Sequence, residues 1–455
     1  MIMDLKTIAT TAWRSQIFWI IVVGFAIRIV LGYFFTFPYD CGNWAKIAET
    51  VVSGEELYDR PDNYYAPIWG YFLSFMASVY LMLGGASFAN QFDEYLFLDG
   101  FRVSYYNSVM IEPAFGMLLK VSLFIVDLAV AFVIRRIVLD ICGDERKATI
   151  AFGIWFLCPL VIYCSSIYLI FDTIEVLFLS LCFLAILRER PFIAGGMMLM
   201  AGMVKPFAFY LVPLFLVYIL MSKTDFRDKV NQFALTAGGF VTMFVLIFLP
   251  VLLNGDFSDS LTFLTGRVDS AGTVIDNGIG HIMSVLTNFE YQVFVWLQPI
   301  IIPVILIIAY LFYRKGDRSV EMLICYSAIS LIIVFLWPVT QQCYYLVLVL
   351  FVALMVVKWR ASLVAVLMLT LTSLSTIYMV LTHNYSLLLP LAAYTDLVSS
   401  DWVIDRLLSF NLMTDALDGN FYDDSRRAVQ VVIIGVMLYL IHVFYRWGVK
   451  EHESP

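Results

Sequence analysis

The chain has 455 residues, 62% of them hydrophobic and only 14% charged. A soluble domain carries about 25% charged residues, so the composition excludes an ordinary water-soluble globule and points to a membrane protein. The formal net charge of −8 comes without a basic domain, which argues against a nucleic-acid partner.

Apolar runs follow one another from end to end, at 17–36, 66–83, 110–134, 148–168, 170–187, 191–204, 206–221, 232–253, 291–313, 320–338, 342–357, 361–382 and 428–446. Many approach the roughly 20 residues that cross a hydrocarbon core. The first run is too long for a signal peptide, contains Arg28 and has no small-residue cleavage site after it. The runs 191–204 and 206–221 are short and work as a tight or partly broken hairpin around Pro206. The cysteines at 41, 142, 158, 164, 182, 325 and 343 show no metal-ligand spacing, and most sit in apolar runs as small buried hydrophobes.

Lys and Arg decide which runs span, because cytoplasmic loops hold the excess of basic residues. The clusters are Lys6 and Arg14; Arg135, Arg136, Arg146 and Lys147; Arg188 and Arg190; Lys223, Arg227 and Lys229; Arg314, Lys315 and Arg318; Lys358 and Arg360; and Arg446 and Lys450. All fall on one side if the aromatic-rich run 66–83 is a juxtamembrane or re-entrant helix. The expected fold is therefore all-α, a polytopic transmembrane helical bundle of about 12 spans with both termini cytoplasmic. A single membrane domain covers 1–455, with a long first outer loop at 37–109, two further outer loops at 254–290 and 383–427, and an acidic outer face.

Several polar residues converge on that face. Asp40 follows the first span, and Asp172 and Glu175 open a later one at a spacing that shares a helix face. Lys205, Gln341 and Gln342 lie at outer hairpins, and Arg267 and His281 lie in the middle outer loop. Ionisable residues near the hydrocarbon boundary are costly and are functional candidates by default. Arg28, Lys120 and Asp127 lie deeper and are expected to pair structurally or to face other helices. His383 and His442 carry no partner pattern.

The first outer loop reads FPYDCGNWAKIAETVVSGEELYDRPDNYYAPIWGYFL, with an acid after the span, then Gly54, Leu57-Tyr58, Tyr64-Tyr65 and Ala66-Pro67. Together with SSIYLIFDTIEVLF and AGGMMLMAGMVKPFAFYLVP, this order resembles the GT-C superfamily of integral-membrane glycosyltransferases. It is most similar to the polyprenyl-phosphate-mannose-dependent mannosyltransferases, over roughly residues 15–220. The resemblance implies an inverting transfer of a hexose, mannose favoured, from a polyprenyl-phosphate donor already in the membrane to a lipid, glycan or protein acceptor on the non-cytoplasmic side. Asp40 is then the general base, and Lys205 and Arg267 the cations at the donor phosphate. Trp44, Tyr65, Asp172, Glu175, His281, Gln341 and Gln342 line the substrates. The chain departs from relatives that carry a D-x-D pair in this loop, since Asp40 is followed by Cys41 and Gly42. No bound metal is expected, and no Walker loop or dinucleotide fingerprint calls for a cofactor.

The alternative is a secondary transporter or lipid flippase. Such proteins place substrate groups near the midplane of repeated halves. The two halves of this chain show no repeat, and its polar set lies at the outer boundary. A third reading, a non-catalytic membrane subunit, would leave Asp40 dispensable.

Overall fold

The computed structural model describes residues 16–58, 65–91, 109–222, 225–254, 257–261, 298–336, 342–416 and 420–449. In chain order the helices are α1 (Gln16–Phe34), α2 (Pro38–Val52), α3 (Pro67–Met82), α4 (Pro113–Cys142), α5 (Glu145–Phe156), α6 (Pro159–Tyr163), α7 (Asp172–Leu187), α8 (Pro191–Val204) and α9 (Val212–Leu220). They continue with α10 (Phe226–Asn254), α11 (Phe257–Ser260), α12 (Ile301–Lys315), α13 (Val320–Leu336), α14 (Leu346–Leu354), α15 (Ala361–His383), α16 (Leu389–Tyr394), α17 (Ser400–Ala416) and α18 (Asn420–Val449). Prolines open many of these helices because a proline at the first helical position lacks only an N–H that would be unsatisfied anyway.

Among the described residues, three helices are individually long and apolar enough to cross a membrane: α1, α4 and α10. A fourth candidate is the pair Glu145–Phe156 and Pro159–Tyr168, bent by 43° at its break. Pro159 causes that break, since it cannot donate to the preceding turn. Several shorter apolar helices, α3, α8 and α13 among them, accompany these. The expected helical membrane protein is thus what the chain forms. The described residues hold one departure from all-α architecture, a two-stranded antiparallel sheet that pairs β1 (Ala89–Gln91) with β2 (Val109–Ile111). Its strands are three residues each, too short to leave an alternation in the sequence.

The chain divides into two units. The first comprises residues 1–46, 79–173 and 352–411. There α1 packs on α4 and α5, with the ring of Phe156 against Gly24. The α4 N-terminus is capped by Glu112, whose carboxylate accepts the Phe115 N–H at 2.8 Å and the Tyr80 hydroxyl at 2.9 Å. Met110 of β2 joins Leu389, Ala392, Val403 and Leu407 in a core under α16 and α17.

The second unit comprises 47–78, 174–351 and 412–455. Its tightest contact is between α8 and α10, where a Cβ on Gly195 would collide with the Thr236 carbonyl and one on Gly239 with the Phe192 carbonyl. Ala66, just ahead of α3, is buried with Leu199 and Met203 of α8 and with Ile247 and Phe248 of α10. Almost all of α13 is buried.

Candidate active site

In the first unit, Asp40 lies in the first turn of α2. Helix N-terminal amide groups favour a negative charge there. Asp40 is half-buried, between exposed Tyr39 and buried Cys41. Three successive carbonyls fix this helix. Ile167 O accepts the Phe37 N–H at 2.9 Å, Tyr168 O faces the Cys41 thiol at 3.9 Å, and Leu169 O accepts the Trp44 indole N–H at 3.1 Å. Those carbonyls can face one partner because the chain leaves α-helical geometry, passing through a π-turn at Cys164–Tyr168 into a left-handed Leu169 with φ 54°. A left-handed leucine is unfavourable and persists only where the surroundings enforce it. Trp44 is therefore buried, its ring edge-on to Phe171 at 5.7 Å, one helical turn after Asp40, where the sequence suggests a face for substrate.

Lys120 of α4 fixes the residues just before Asp40. Its ammonium donates to Gly32 O at 2.7 Å, Phe35 O at 2.9 Å and the Thr36 hydroxyl at 2.6 Å. An ammonium has three N–H donors, and these bonds match them. The orphan carbonyls at the α1 C-terminus are satisfied, and the cation sits at the negative end of the helix dipole.

Asp172 opens α7 two residues after Ile170, so the segment under α2 leads straight into the second acid. Its neighbour Thr173 donates its hydroxyl to Asp127 at 2.6 Å. Asp127 also pairs with Arg28 at 3.0 Å, both side chains fully buried, and Arg28 caps the carbonyls of Gly24 and Phe156. The deep charged residues thus pair structurally, as their depth suggests, and the pair ties α1, α4 and α7 together. Asp40, Trp44 and Asp172 share one local scaffold. Glu175 lies one turn further along α7, and both acids are buried at 1% and 2% exposure.

In the second unit, Lys205 occupies the break between α8 and the 3₁₀ turn Pro206–Leu211, in extended conformation (φ −144°, ψ 137°). It is only 2% exposed. Its ammonium lies 4.8 Å from the ring centre of Tyr344 and 5.7 Å from that of Tyr65. The structure brings together Lys205 and Tyr65, both marked in the sequence, and adds Tyr344, which was not. Its place two residues after Gln342, past Cys343, is the signal that could have found it. Arg267, His281 and Gln341 lie outside the described residues, and Gln342 begins the 3₁₀ turn Gln342–Tyr345. Among the described residues no group of three His, Cys, Asp or Glu side chains is placed to hold a metal ion.

The sequence profile described as glycosyltransferase family 87 matches residues 111–338, half of the chain. The chain belongs to glycosyltransferase family 87. This family consists of GT-C-type membrane glycosyltransferases. Family 87 membership makes the chain a membrane glycosyltransferase and not a transporter. The matched region holds Asp172, Glu175, Lys205, Arg267 and His281 and extends well past residue 220, where the first resemblance ended. It begins after the loop that carries Asp40. No curated protein matches the chain.

Proposed function

We propose that this family 87 enzyme transfers a hexose, mannose by preference, from a polyprenyl phosphate to a lipid, glycan or protein hydroxyl on the extracytoplasmic or lumenal side of the membrane. The observation that carries this reading is the burial of Lys205, Asp172 and Glu175 at helix ends of a membrane glycosyltransferase. Intramembrane charges mark substrate sites, and a lysine withdrawn from water suits a donor phosphate that arrives through the lipid. The proposal includes about twelve crossings of one multi-pass domain over 1–455, α3 outside the hydrocarbon, both termini cytoplasmic, and outer loops at 37–109, 254–290 and 383–427.

In the reaction the Asp40 carboxylate takes the proton of the acceptor hydroxyl. The acceptor oxygen attacks the anomeric carbon from the side opposite the phosphate. The bond from that carbon to the phosphate oxygen breaks, its electron pair leaves with the polyprenyl phosphate, and the configuration inverts. Lys205 and Arg267 stabilise the charge on the leaving phosphate, which then needs no proton. Asp40 later returns its proton to water. Asp172, Glu175, His281, Gln341 and Gln342 contact the substrates, Trp44 anchors the helix that carries Asp40, and membrane lipids surround the whole.

The test is release of polyprenyl phosphate from polyprenyl-phosphate mannose by purified protein supplied with a lipid extract as acceptor. Asp40→Asn keeps the size of the side chain but not its basicity, so turnover should fall by about 10²–10⁴ while donor binding survives. Wild-type turnover in Asp40→Asn would remove Asp40 as the base and leave Asp172 as the next acid on the same scaffold.

A further inference from the structure

The pattern that marks the first outer loop, Gly54 followed by Leu57-Tyr58 and then Tyr65-Ala66-Pro67, has a physical role that its spacing does not disclose. Gly54 adopts φ 86°, which lets the chain turn off the end of α2. Leu57 then lies against Gly70 of α3, where a Cβ would strike its methyl groups. The Tyr58 hydroxyl donates to the Tyr65 carbonyl at 2.9 Å. The next residue, Ala66, is buried against Leu199 and Met203 of α8, the helix that ends at Lys205. Tyr65 is thereby held from both sides, and its ring faces the Lys205 ammonium. The second ring is held as firmly. Tyr344 packs on Phe207 at 5.0 Å, and Phe207 packs on Phe335 at 4.9 Å.

We propose that Tyr65 and Tyr344 are positioning residues that hold the Lys205 ammonium at the donor phosphate, and that Gly54 to Tyr58 is the strap that fixes one of the two rings. The inference rests on the reading of Lys205 as the donor-phosphate cation. A lysine has four side-chain torsions and loses much freedom when fixed. Two ring faces attract its charge without taking a proton and confine it to one place. A charge already in place costs no reorganisation when the phosphate leaves.

The experiment measures binding of polyprenyl phosphate to the purified full-length protein. Lys205→Met should weaken it strongly. Tyr344→Leu and Tyr65→Leu should each weaken it by about tenfold, the scale of one buried cation–ring contact. Tyr344→Phe, which keeps the ring, should stay within about twofold of wild type on the same scale. Adding either leucine to Lys205→Met should change nothing further, since the rings then have no cation to hold. A series of fluorinated phenylalanines at position 344 keeps the shape and withdraws charge from the ring face. Affinity should fall with each added fluorine, and this arm needs no leucine variant to fold.

Unchanged affinity in the leucine variants, or across the fluorinated series, would overturn the inference while leaving Lys205 in its role. So would equal losses from leucine in the wild-type and Lys205→Met backgrounds. Unchanged affinity in Lys205→Met would overturn the donor-cation reading itself.

Discussion

The Lys120 ammonium donates to the Thr36 hydroxyl at 2.6 Å, four residues ahead of Asp40. Two further bonds from the same nitrogen reach Gly32 O and Phe35 O, so one side chain of α4 closes the end of α1 and sets where α2 begins.

Lys120→Met should therefore leave one buried and two half-buried acceptors without their donor. A fully buried orphan costs about 1–3 kcal/mol. The variant should melt well below wild type in detergent, whereas Thr36→Val, which removes one hydrogen bond to a charged group, should cost about 1.5–3 kcal/mol. A Lys120→Met protein that melts with the wild type would refute the clamp.

Native cysteines test the proposed topology. Cys142 is exposed at the end of α4, beside the Arg135, Arg136, Arg146 and Lys147 cluster. It should react with a membrane-impermeant maleimide from the cytoplasmic side only. Cysteines introduced between 90 and 100 should react from the opposite side only. Cys41 should stay unlabelled throughout: it is fully buried, and burial pushes its thiol well above the usual range, an effect that Lys120 partly offsets and Asp40 reinforces. It therefore stays protonated at neutral pH, and it is the thiolate that attacks a maleimide. Labelling of 90–100 from the cytoplasm would reject the arrangement.

The α8–α10 contact predicts opposite outcomes for the same substitution. Gly195→Ala and Gly239→Ala put a methyl group into the backbone of the facing helix, so the helices must separate. Rearranging a packed contact typically costs about 1–3 kcal/mol, and because α8 ends at Lys205, donor binding should weaken as well. A Cβ on Gly435 of α18 meets nothing within 4 Å. Gly435→Ala should be neutral or stabilise slightly, by up to about 1 kcal/mol of helix propensity. Thermal midpoints of the three variants check this, and equal midpoints would show that α8 and α10 are not in close contact.

The legible parts of the fold were those written in one dimension. Apolar runs and prolines located the helices, so the run 17–36 became α1 at Gln16–Phe34 and Pro206 marked the break at Lys205. Charge at depth marked Arg28, Lys120 and Asp127 as structural residues but did not say that Arg28 pairs with Asp127. The illegible parts were contacts from a side chain to a distant main chain. Lys120 read as one more buried lysine because its three acceptors are two backbone carbonyls and a threonine, which leave no periodic or charged mark. Leu169 gave no warning of a left-handed conformation, since glycine or asparagine is the usual signal for one. Trp44 read as a sugar-flanking ring because the sequence could not show that its N–H is committed to Leu169 O.

The three carbonyls of 167–169 give the first loop and the 164–172 segment a shared fate. A graft of the first loop into another chain would have to move residues 36–44 and 164–172 together as one cassette. A first loop moved alone would leave behind the carbonyls that hold it. The two stretches are more than a hundred residues apart in the chain, yet they form a single heritable part.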